Sequence, residues 1–406
     1  MIRHDVVILG GGPAGLAAAE RLRERGLRDI VIVEREPELG GVPRHCGHLA
    51  FGFREFHRLM SGPAYAHRLG KSVAGLHLRR KTTVTAILPG GEVDLTDPES
   101  GPSRIAGRAV LLAFGVRETP RSTRLVGGDR PWGVTTTGAL QQFVYLAGIR
   151  PFRRAVVVGS ELVAFSALLT LRHGGIAAAA MLETGARITA RRPGEWIARL
   201  LLGVPVLNET NLVAIHGGAN VEGLEIERAG QRKIIACDGV VFTGQFRPET
   251  AVLATSHLKS DPGTGGPAID QYWRASDPSY FVAGNLLRPV KTAGVAWAEG
   301  RAAADSIAAS LAGALPPSSR SISVSAEAPL KYIYPQRLAL PLGEVSPLMF
   351  KARASRRLRG RIRLLADDRE LWSRAMTVLP ERRLSLPVDR LPRQDVGHIT
   401  VDFIEN

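Results

Sequence analysis

The stretch DVVILGGGPAG at residues 5–15 decides the fold of this 406-residue chain. Its apolar start predicts a buried strand, its glycines end that strand, and the alanine- and leucine-rich sequence up to about Arg25 predicts a helix. A second apolar strand at 30–33 ends at Glu34. Strand, glycine-rich turn, helix and strand in this order predict a βαβ unit that binds a dinucleotide.

Each glycine of the GxGxxG pattern in this turn has a structural role. Gly10 permits the tight turn, Gly12 lets the backbone approach a pyrophosphate, and Gly15 lets the helix pack closely on the strand. The N-terminus of the helix offers free N–H groups and a positive dipole end to the same phosphates. Glu34 follows Gly15 by 19 positions and is placed to accept hydrogen bonds from a ribose.

A second unit of the same kind begins with the strand at 155–159. It continues through a predicted helix at 162–173 and a strand at 178–181 that leads to Glu183. Its turn carries Glu161 where the second glycine is expected, and a carboxylate at that point crowds and repels a pyrophosphate. Two interpretations stay open, namely weak binding of a nicotinamide nucleotide and a structural or altered nucleotide site.

Later apolar segments at 110–115, 239–244 and 281–285 complete both sheets, and a helix is predicted at 293–311. Only the chain after about residue 251 returns to the first sheet, so the second domain is inserted into the first. We therefore predict an α/β fold with two interleaved Rossmann-like dinucleotide-binding domains. Their predicted bounds are 1–120 with 251–315 for the first domain and 121–250 for the second.

The pattern of apolar and polar residues changes after a linker at 316–319. Short alternating apolar segments separated by prolines predict a small C-terminal antiparallel β domain, sandwich-like, at 320–406. This region contains no cysteine and so cannot be a cysteine-ligated iron–sulfur module.

Composition excludes several classes of protein. The chain has two cysteines, Cys46 and Cys237, and no signal-peptide pattern precedes its first strand, so we expect a cytoplasmic protein. No apolar run reaches the roughly 18 residues of a membrane helix. The net charge of +15 comes mostly from dispersed arginines, without aromatic interleaving, zinc-ligand spacing or a helix-turn-helix pattern. Neither nucleic-acid binding nor a metal site is predicted.

In combination these motifs resemble the two-dinucleotide-binding-domain flavoproteins of the pyridine-nucleotide–disulfide oxidoreductase superfamily, over about residues 1–315. The resemblance implies a glutathione-reductase-like arrangement in which the first domain binds FAD and the second is like an NAD(P)-binding domain. The implied cofactor-binding residues are Gly10, Gly12, Pro13, Ala14, Gly15, Glu34, Arg35, Gly41, Val42, Arg44, His45, Val84, Ala113, Phe114, Gly115, Gly284, Asn285, Lys291, Thr292 and Ala293.

Two parts of this set depart from or refine the family pattern. The family usually has aspartate where Asn285 stands, so this chain brings an amide and no charge to the ribityl chain. Lys291, Thr292 and Ala293 begin the last helix, whose N-terminus points at the pyrimidine edge of the flavin in the family and would stabilise negative charge there.

The segment GGVPRHCGH at 40–48 excludes thiol–disulfide chemistry. Disulfide reductases of the superfamily carry two cysteines five apart here, and Pro43 and His48 take those places. Cys46 is either a packing residue or a functional residue beside the flavin. His45 and His48 are a proton relay, or hydrogen-bond donors to a pyrophosphate or a flavin carbonyl, or ordinary core or surface residues. We name His48 and Cys46 as candidate catalytic residues.

The 40–48 segment, the turn at 159–163 and the helix start at 294–301 resemble one narrower group. It comprises the α-type subunits of heteromeric opine oxidases, proline and hydroxyproline dehydrogenases, and hydrogen cyanide synthase. The resemblance implies a hetero-oligomer with an amino-acid-oxidase-like β subunit that carries a second flavin. A separate iron–sulfur subunit is a further implied partner, since this chain ends in a cysteine-free domain.

Three hypotheses follow for function. The first is an FAD-containing electron-transfer subunit of an amino-acid or opine dehydrogenase. The second is a stand-alone NADH-dependent flavin reductase, for which Glu183 would select NADH over NADPH by repelling the 2′-phosphate. The third is a non-catalytic nucleotide-binding scaffold whose second domain holds ATP or nothing. The sequence does not identify the substrate.

Overall fold

The computed structural model describes residues 2–190, 193–289, 291–342, 349–380, 382–387 and 396–405. The chain forms two compact units. The first unit consists of Met1–Gly41, His67–Val116 and Pro248–Asn406, and the second unit consists of Val42–Ala66 and Arg117–Arg247.

A mixed sheet forms the centre of the first unit. Its strands, in spatial order, are His77–Arg79, Ile30–Val33, Ile2–Leu9, Gly101–Leu112, Glu92–Asp97 and Thr83–Leu88, and Tyr280–Val282 also pairs with Gly101–Leu112. The strand predicted at 110–115 is observed as Gly101–Leu112. It begins earlier than predicted because its first half pairs antiparallel with Glu92–Asp97, and it ends at Leu112. The return of Tyr280–Val282 to this sheet confirms that the second dinucleotide fold interrupts the first.

Two long helices pack against each other in this unit. Pro13–Glu24 and Ala293–Leu311 lie where the sequence predicts them. A β-carbon on Gly300 would overlap the carbonyl oxygen of Ala14, so the helices approach at backbone distance. Further helical segments of the first unit are Pro89–Gly91, Leu253–Thr255 and Gly284–Leu286. Val42–His45 and Phe53–Phe56 belong to the second unit, and the helix Gly62–Ser72 begins in the second unit and ends in the first.

The second unit contains a five-stranded parallel sheet with the order Val134–Thr136, Gly239–Phe242, Arg154–Val158, Ala177–Leu182 and Val206–Leu207. A second sheet contains Gly127–Gly128, Thr210–His216, Gly223–Arg228 and Gln231–Ala236. Its helical segments are Arg121–Arg124, Thr137–Gln141, Gln142–Leu146, Leu162–His173, Gly194–Trp196 and Ile197–Leu201. The short strands Leu49–Phe51 and Met60–Ser61 pair with each other, as do Val116–Glu118 and Phe246–Pro248.

The C-terminal strands form two sheets over a shared apolar core. One has the order Arg337–Ala339, Ser321–Ala326, His398–Glu405, Leu358–Ala366 and Arg369–Val378, and the other has the order Leu330–Tyr334, Met349–Ala354 and Leu384–Pro387. The pairing is antiparallel except between Ser321–Ala326 and His398–Glu405, which run parallel. Tyr332 and Tyr334 join the apolar core of the first sheet.

The predicted α/β class with two Rossmann-like sheets is confirmed, and the C-terminal β region differs from the prediction by its one parallel pair. The domain bounds stay a prediction. Among the described residues, no helix is both long and apolar enough to cross a membrane.

Candidate functional site

The glycine-rich turn of the first unit is open where a dinucleotide is expected. Gly10 has a φ of +114°, and a β-carbon there would lie 2.5 Å from the carbonyl oxygen of Ala113. A β-carbon on Gly15 would overlap the carbonyl oxygen of Gly10, so only glycine allows the close approach of helix and turn. A β-carbon on Gly12 would meet nothing nearer than the α-carbon of Gly41, at 3.9 Å. The space over Gly12 is therefore available to a ligand.

The helix that follows this turn presents its N-terminus to the same space. Gly12 is the N-cap residue and no side chain caps the helix there, while Pro13 occupies the first helical position and Ala14 the second. The first N–H groups of a helix have no partner within the helix, and they attract anions together with the helix dipole. These residues fit the pyrophosphate of a dinucleotide.

The carboxylate of Glu34 is buried at the end of the strand Ile30–Val33. It accepts hydrogen bonds from the N–H groups of Gly11 at 2.7 Å and Glu36 at 2.9 Å. A carboxylate has about four acceptor positions, so two bonds leave capacity for ribose hydroxyls. Arg35 is exposed, and its guanidinium lies 3.7 Å from the Glu36 carboxylate.

Ala113, Phe114 and Gly115 follow directly on the strand Gly101–Leu112. The N–H group of Ala113 donates to the carbonyl of Leu9 at 2.8 Å, which aligns this segment with the start of the glycine-rich turn. Ligands of open α/β sheets bind at this edge, outside the carboxyl ends of the strands.

Gly284 and Asn285 follow the strand Tyr280–Val282 at the same edge. A β-carbon on Gly284 would lie 2.9 Å from that of Ala14, which places Gly284 beside the glycine-rich turn. Val84, by contrast, lies on the strand Thr83–Leu88 and pairs with a neighbouring strand.

The side-chain amide of Asn285 holds the loop that leads to the last long helix. Its Oδ1 accepts the N–H of Lys291 at 2.8 Å, and its Nδ2 donates to the carbonyl of Lys291 at 3.3 Å. An aspartate could accept the first of these bonds but could not donate the second. The amide therefore fixes the chain immediately before Thr292, the N-cap residue, and Ala293, the first residue of the helix.

The side chain of Lys291 is engaged in a buried charge cluster. Its ammonium donates to the carbonyl of Gly284 at 3.2 Å and forms an ion pair with Glu299. Arg288 also contacts the Glu299 carboxylate, at 3.2 Å, and its guanidinium lies 3.8 Å from the ring centroid of Tyr334. Burial lowers the pKa of Lys291 to about 7. This ammonium is thus part of the protein interior.

The histidine-containing segment lies in the second unit. Val42–His45 forms a short 3₁₀ turn, and the N–H of Cys46 donates to the carbonyl of Pro43 at 3.0 Å. Gly41 belongs to the first unit. The proximity of Val42, Arg44, His45 and His48 to FAD therefore stays a prediction.

A hydrogen-bonded network joins both histidines of this segment through two residues that the sequence did not single out. Gln141 lies with its Oε1 3.3 Å from Nδ1 of His45 and 3.4 Å from the sulfur of Cys46. Its Nε2 donates to the hydroxyl of Ser166 at 2.7 Å, and this hydroxyl lies 3.2 Å from Nδ1 of His48. No motif connects these positions, because Gln141 and Ser166 meet the segment only through the tertiary fold.

Burial sets the protonation states of the two candidate catalytic residues. It raises the pKa of Cys46 to about 12, so the thiol stays protonated near neutral pH. Such a thiol is a poor nucleophile, which favours a packing role. Burial lowers the pKa of His48, so its imidazole is neutral near pH 7 and available as a hydrogen-bonding group.

The second glycine-rich turn is filled by a side chain of its own. Glu161 is the N-cap residue of the helix Leu162–His173, and its Oε1 accepts a hydrogen bond from the Thr243 hydroxyl at 3.0 Å. A β-carbon on Gly159 would lie 2.8 Å from Oε2 of Glu161.

The described residues contain no group of three or more His, Cys, Asp and Glu side chains that could hold a metal ion.

Known proteins are similar to this chain over residues of both units. Residues 4–300 match the protein family described as pyridine nucleotide-disulphide oxidoreductase. An opine oxidase subunit of Rhizobium meliloti (strain 1021) is 28% identical over 336 residues, which are 76% of this chain and 71% of that protein. A hydrogen cyanide synthase subunit of Pseudomonas protegens is 24% identical over 69% of this chain and 65% of its own length.

A solved structure agrees on the fold. Thioredoxin reductase of T. acidophilum superposes with a TM-score of 0.64 over 76% of this chain and 99% of its own, at 21% identity. The family match covers both dinucleotide folds and includes the open turn at Gly12. The chain therefore belongs to the pyridine nucleotide-disulphide oxidoreductase family and is an FAD-dependent oxidoreductase.

Proposed function

We propose that this chain is the FAD-containing electron-transfer subunit of a heteromeric amino-acid or opine dehydrogenase. The observation that carries the proposal is the open space over Gly12 at a helix N-terminus, in a chain that is similar to an opine oxidase subunit over 76% of its length. Both relatives, of opine oxidase and of hydrogen cyanide synthase, are subunits of larger enzymes, which supports a hetero-oligomer.

In this proposal the first unit holds FAD along the carboxyl edge of its sheet. Residues 10–15 receive the pyrophosphate, Glu34 receives the ribose, and Val84 lies at the adenine. Ala113, Phe114, Gly115, Gly284 and Asn285 follow the cofactor towards the flavin ring. When bound, FAD supplies an acceptor for two electrons that can pass them on.

The chain's own residues would tune that acceptor electrostatically. The N-terminus of the helix Ala293–Leu311 stabilises negative charge, and the Asn285 amide fixes where this terminus points. His48, neutral near pH 7, would offer a hydrogen bond to the ring. Both contributions depend on orientation. A hydrogen bond within the first unit holds Asn285, and one within the second unit holds His48.

The proposed partner is an amino-acid-oxidase-like β subunit, with a second flavin, that oxidises the C–N bond of the substrate. Electrons would pass from it to this chain and leave through a separate acceptor, for which an iron–sulfur subunit is the candidate. We propose a cytoplasmic location for the assembly. The rival function, a stand-alone NADH-dependent reductase, requires an accessible nucleotide site in the second unit, and the scaffold hypothesis requires no redox turnover.

Co-purification and NADH oxidation together test the proposal. Purified from its native host, the untagged chain is expected to carry about one FAD and to elute with a second flavoprotein subunit. The isolated chain is expected to oxidise NADH or NADPH only slowly. Fast reduction of its flavin by micromolar NADH would instead establish the reductase function, and a purified chain free of FAD would contradict the proposal.

We expect His48→Ala to shift the midpoint potential and absorption spectrum of the flavin. A hydrogen-bond donor beside the ring changes the relative stability of oxidised and reduced forms, and about 30 mV corresponds to about 1.4 kcal/mol for a two-electron couple. Spectroelectrochemical titration measures the shift. Cys46→Ser is expected to change the potential much less, because its thiol is buried and protonated.

His67→Ala is the matched control for this prediction, because His67 is exposed on the helix Gly62–Ser72. The flavin midpoint potential of His67→Ala should equal that of the unmodified protein. An unchanged potential in His48→Ala would assign His48 a structural role. Loss of turnover in Cys46→Ser with full FAD content would show that the thiol is the functional member of the pair.

A further inference from the structure

The turn that should receive a phosphate in the second unit contains a carboxylate of the chain itself. The side chain of Glu161 folds back over its own turn, with Oε2 2.8 Å from the position of a β-carbon on Gly159. A β-carbon on Gly244 would overlap Oε1. The Thr243 hydroxyl holds the same oxygen at 3.0 Å. The carboxylate thus fills the space between the turn and the neighbouring strand end.

This carboxylate also faces the backbone groups that a phosphate would use. The N–H groups of Ser160 and Glu161 itself point to it and lower its pKa, against the larger effect of burial, which raises it. In a dinucleotide-binding turn such N–H groups face the pyrophosphate. Here the carboxyl group of Glu161 takes the place of that pyrophosphate.

A cation at the same turn balances the internal anion. Arg124 donates from Nη2 to the carbonyls of Thr243 at 2.9 Å and Gly244 at 3.0 Å, and its charge is attracted by Glu161 and Glu118. Glu118 in turn accepts the N–H of Gly244 at 3.3 Å. The polar groups at the closed turn are therefore hydrogen-bonded to one another, and Arg124 is the cation near its two carboxyl groups.

The acidic residue that would bind the ribose is occupied as well. The carboxylate of Glu183 receives hydrogen bonds from the N–H of Gly185 at 2.7 Å and from the hydroxyls of Ser160, Thr184 and Thr189. Four donors match the roughly four acceptor positions of a carboxylate. Glu34, its counterpart in the first unit, receives two.

We propose that Glu161 is an internal anion that occupies the phosphate-binding turn of the second unit and excludes dinucleotides from it. The comparison within the chain carries this inference, since a β-carbon on Gly12, the equivalent position of the first unit, would meet no protein atom nearer than the α-carbon of Gly41 at 3.9 Å. Electrons therefore do not enter through a nicotinamide nucleotide in the second unit. This conclusion goes beyond the proposed function, because it holds whichever subunit is the partner.

Equilibrium binding of NADH and of NADPH to the FAD-loaded full chain tests the proposal. By isothermal titration the unmodified protein is expected to show no saturable binding below about 1 mM, the weak end of the affinity range. Glu161→Gly removes the internal anion and frees the N–H groups, so binding of one of the two nucleotides should tighten about tenfold or more. Glu161→Gln keeps the shape of the side chain and should tighten binding less than Glu161→Gly does.

Amide hydrogen exchange at Ser160 gives a readout that needs no nucleotide. Exchange there should be faster in Glu161→Gly than in the unmodified protein, with FAD content and thermal midpoint showing that the fold is kept. Micromolar binding by the unmodified protein would overturn the proposal, as would unchanged binding in Glu161→Gly. Equal binding by Glu161→Gln and Glu161→Gly would show repulsion by charge without occupation of the turn. Loss of FAD from all proteins would contradict the proposed function alone, because the nucleotide-binding comparison of Glu161→Gly with the unmodified protein decides this proposal with or without bound FAD.

Discussion

Gly12→Val is expected to yield a folded protein that has lost FAD. The β-carbon of the new side chain meets no protein atom nearer than 3.9 Å, and the backbone of Gly12, with φ of −84° and ψ of −175°, is extended and suits valine. The valine methyl groups would enter the space over the helix N-terminus, where the pyrophosphate is expected. Flavin occupancy after gel filtration should fall below about one tenth, since each tenfold loss of affinity needs only about 1.4 kcal/mol.

Gly218→Val is the control for that measurement. Gly218 is exposed in the second unit, and a β-carbon there would meet no atom within 4 Å. Its FAD content should equal that of the unmodified protein. Full flavin occupancy in Gly12→Val would show that the dinucleotide lies elsewhere and would remove the main support for the proposed function.

The contrast between the two turns shows what could be predicted from sequence. Strand, glycines and helix are contiguous, so local periodicity predicts both βαβ units, and the helices at 13–24, 162–173 and 293–311 lie where expected. The identity of Glu161 also predicts a damaged second turn. The sequence does not predict that its carboxylate bonds to Thr243, which lies 82 positions later.

The surroundings of the histidines were beyond sequence reasoning for the same reason. Gln141 lies 96 positions from His45, and Ser166 lies 118 positions from His48. Glutamine and serine are common surface residues, and nothing in their local pattern marks them as partners of an imidazole. Only the fold brings them to residues 45–48. Residues 42–66 belong to the second unit, as Gln141 and Ser166 do, although the chain reaches this segment directly from the first unit.

The parallel pairing in the C-terminal region was missed for a topological reason. Alternating apolar residues predict strands, but they do not determine which strands become neighbours. Ser321–Ala326 and His398–Glu405 lie about as far apart as the region allows, and they pair side by side. Tyr334, from the same region, reaches the charge cluster around Glu299, which no sequence pattern indicated.

That cluster gives the largest expected effect on stability. Glu299 is 8% exposed and is the carboxylate that pairs with both Lys291 and Arg288. Glu299→Ala would leave two buried cations without this partner, and breaking a buried ion pair costs about 3–5 kcal/mol. The midpoint of urea unfolding, followed by flavin release, should fall accordingly.

The loss of unfolding free energy in Glu299→Ala should depend on pH in a defined direction. Burial lowers the pKa of Lys291 to about 7 while Glu299 raises it, so removal of Glu299 lowers it further. Between this lowered pKa and the ordinary lysine pKa, the folded variant binds fewer protons than its unfolded chain. Its free energy of unfolding therefore rises with pH over that range. The difference from the unmodified protein should therefore be larger below pH 7 than above it.

Glu24→Ala is the matched control, because Glu24 also pairs with two arginines, Arg21 and Arg301, but its side chain is 42% exposed. Exposed ion pairs contribute about 0–1 kcal/mol, so its unfolding midpoint should hardly change. Equal, small effects of the two variants would mean that the Glu299 cluster is hydrated and that Tyr334 does not seal it. A large effect confined to Glu299→Ala would show that this carboxylate is shielded from water at the loop that leads into the helix Ala293–Leu311.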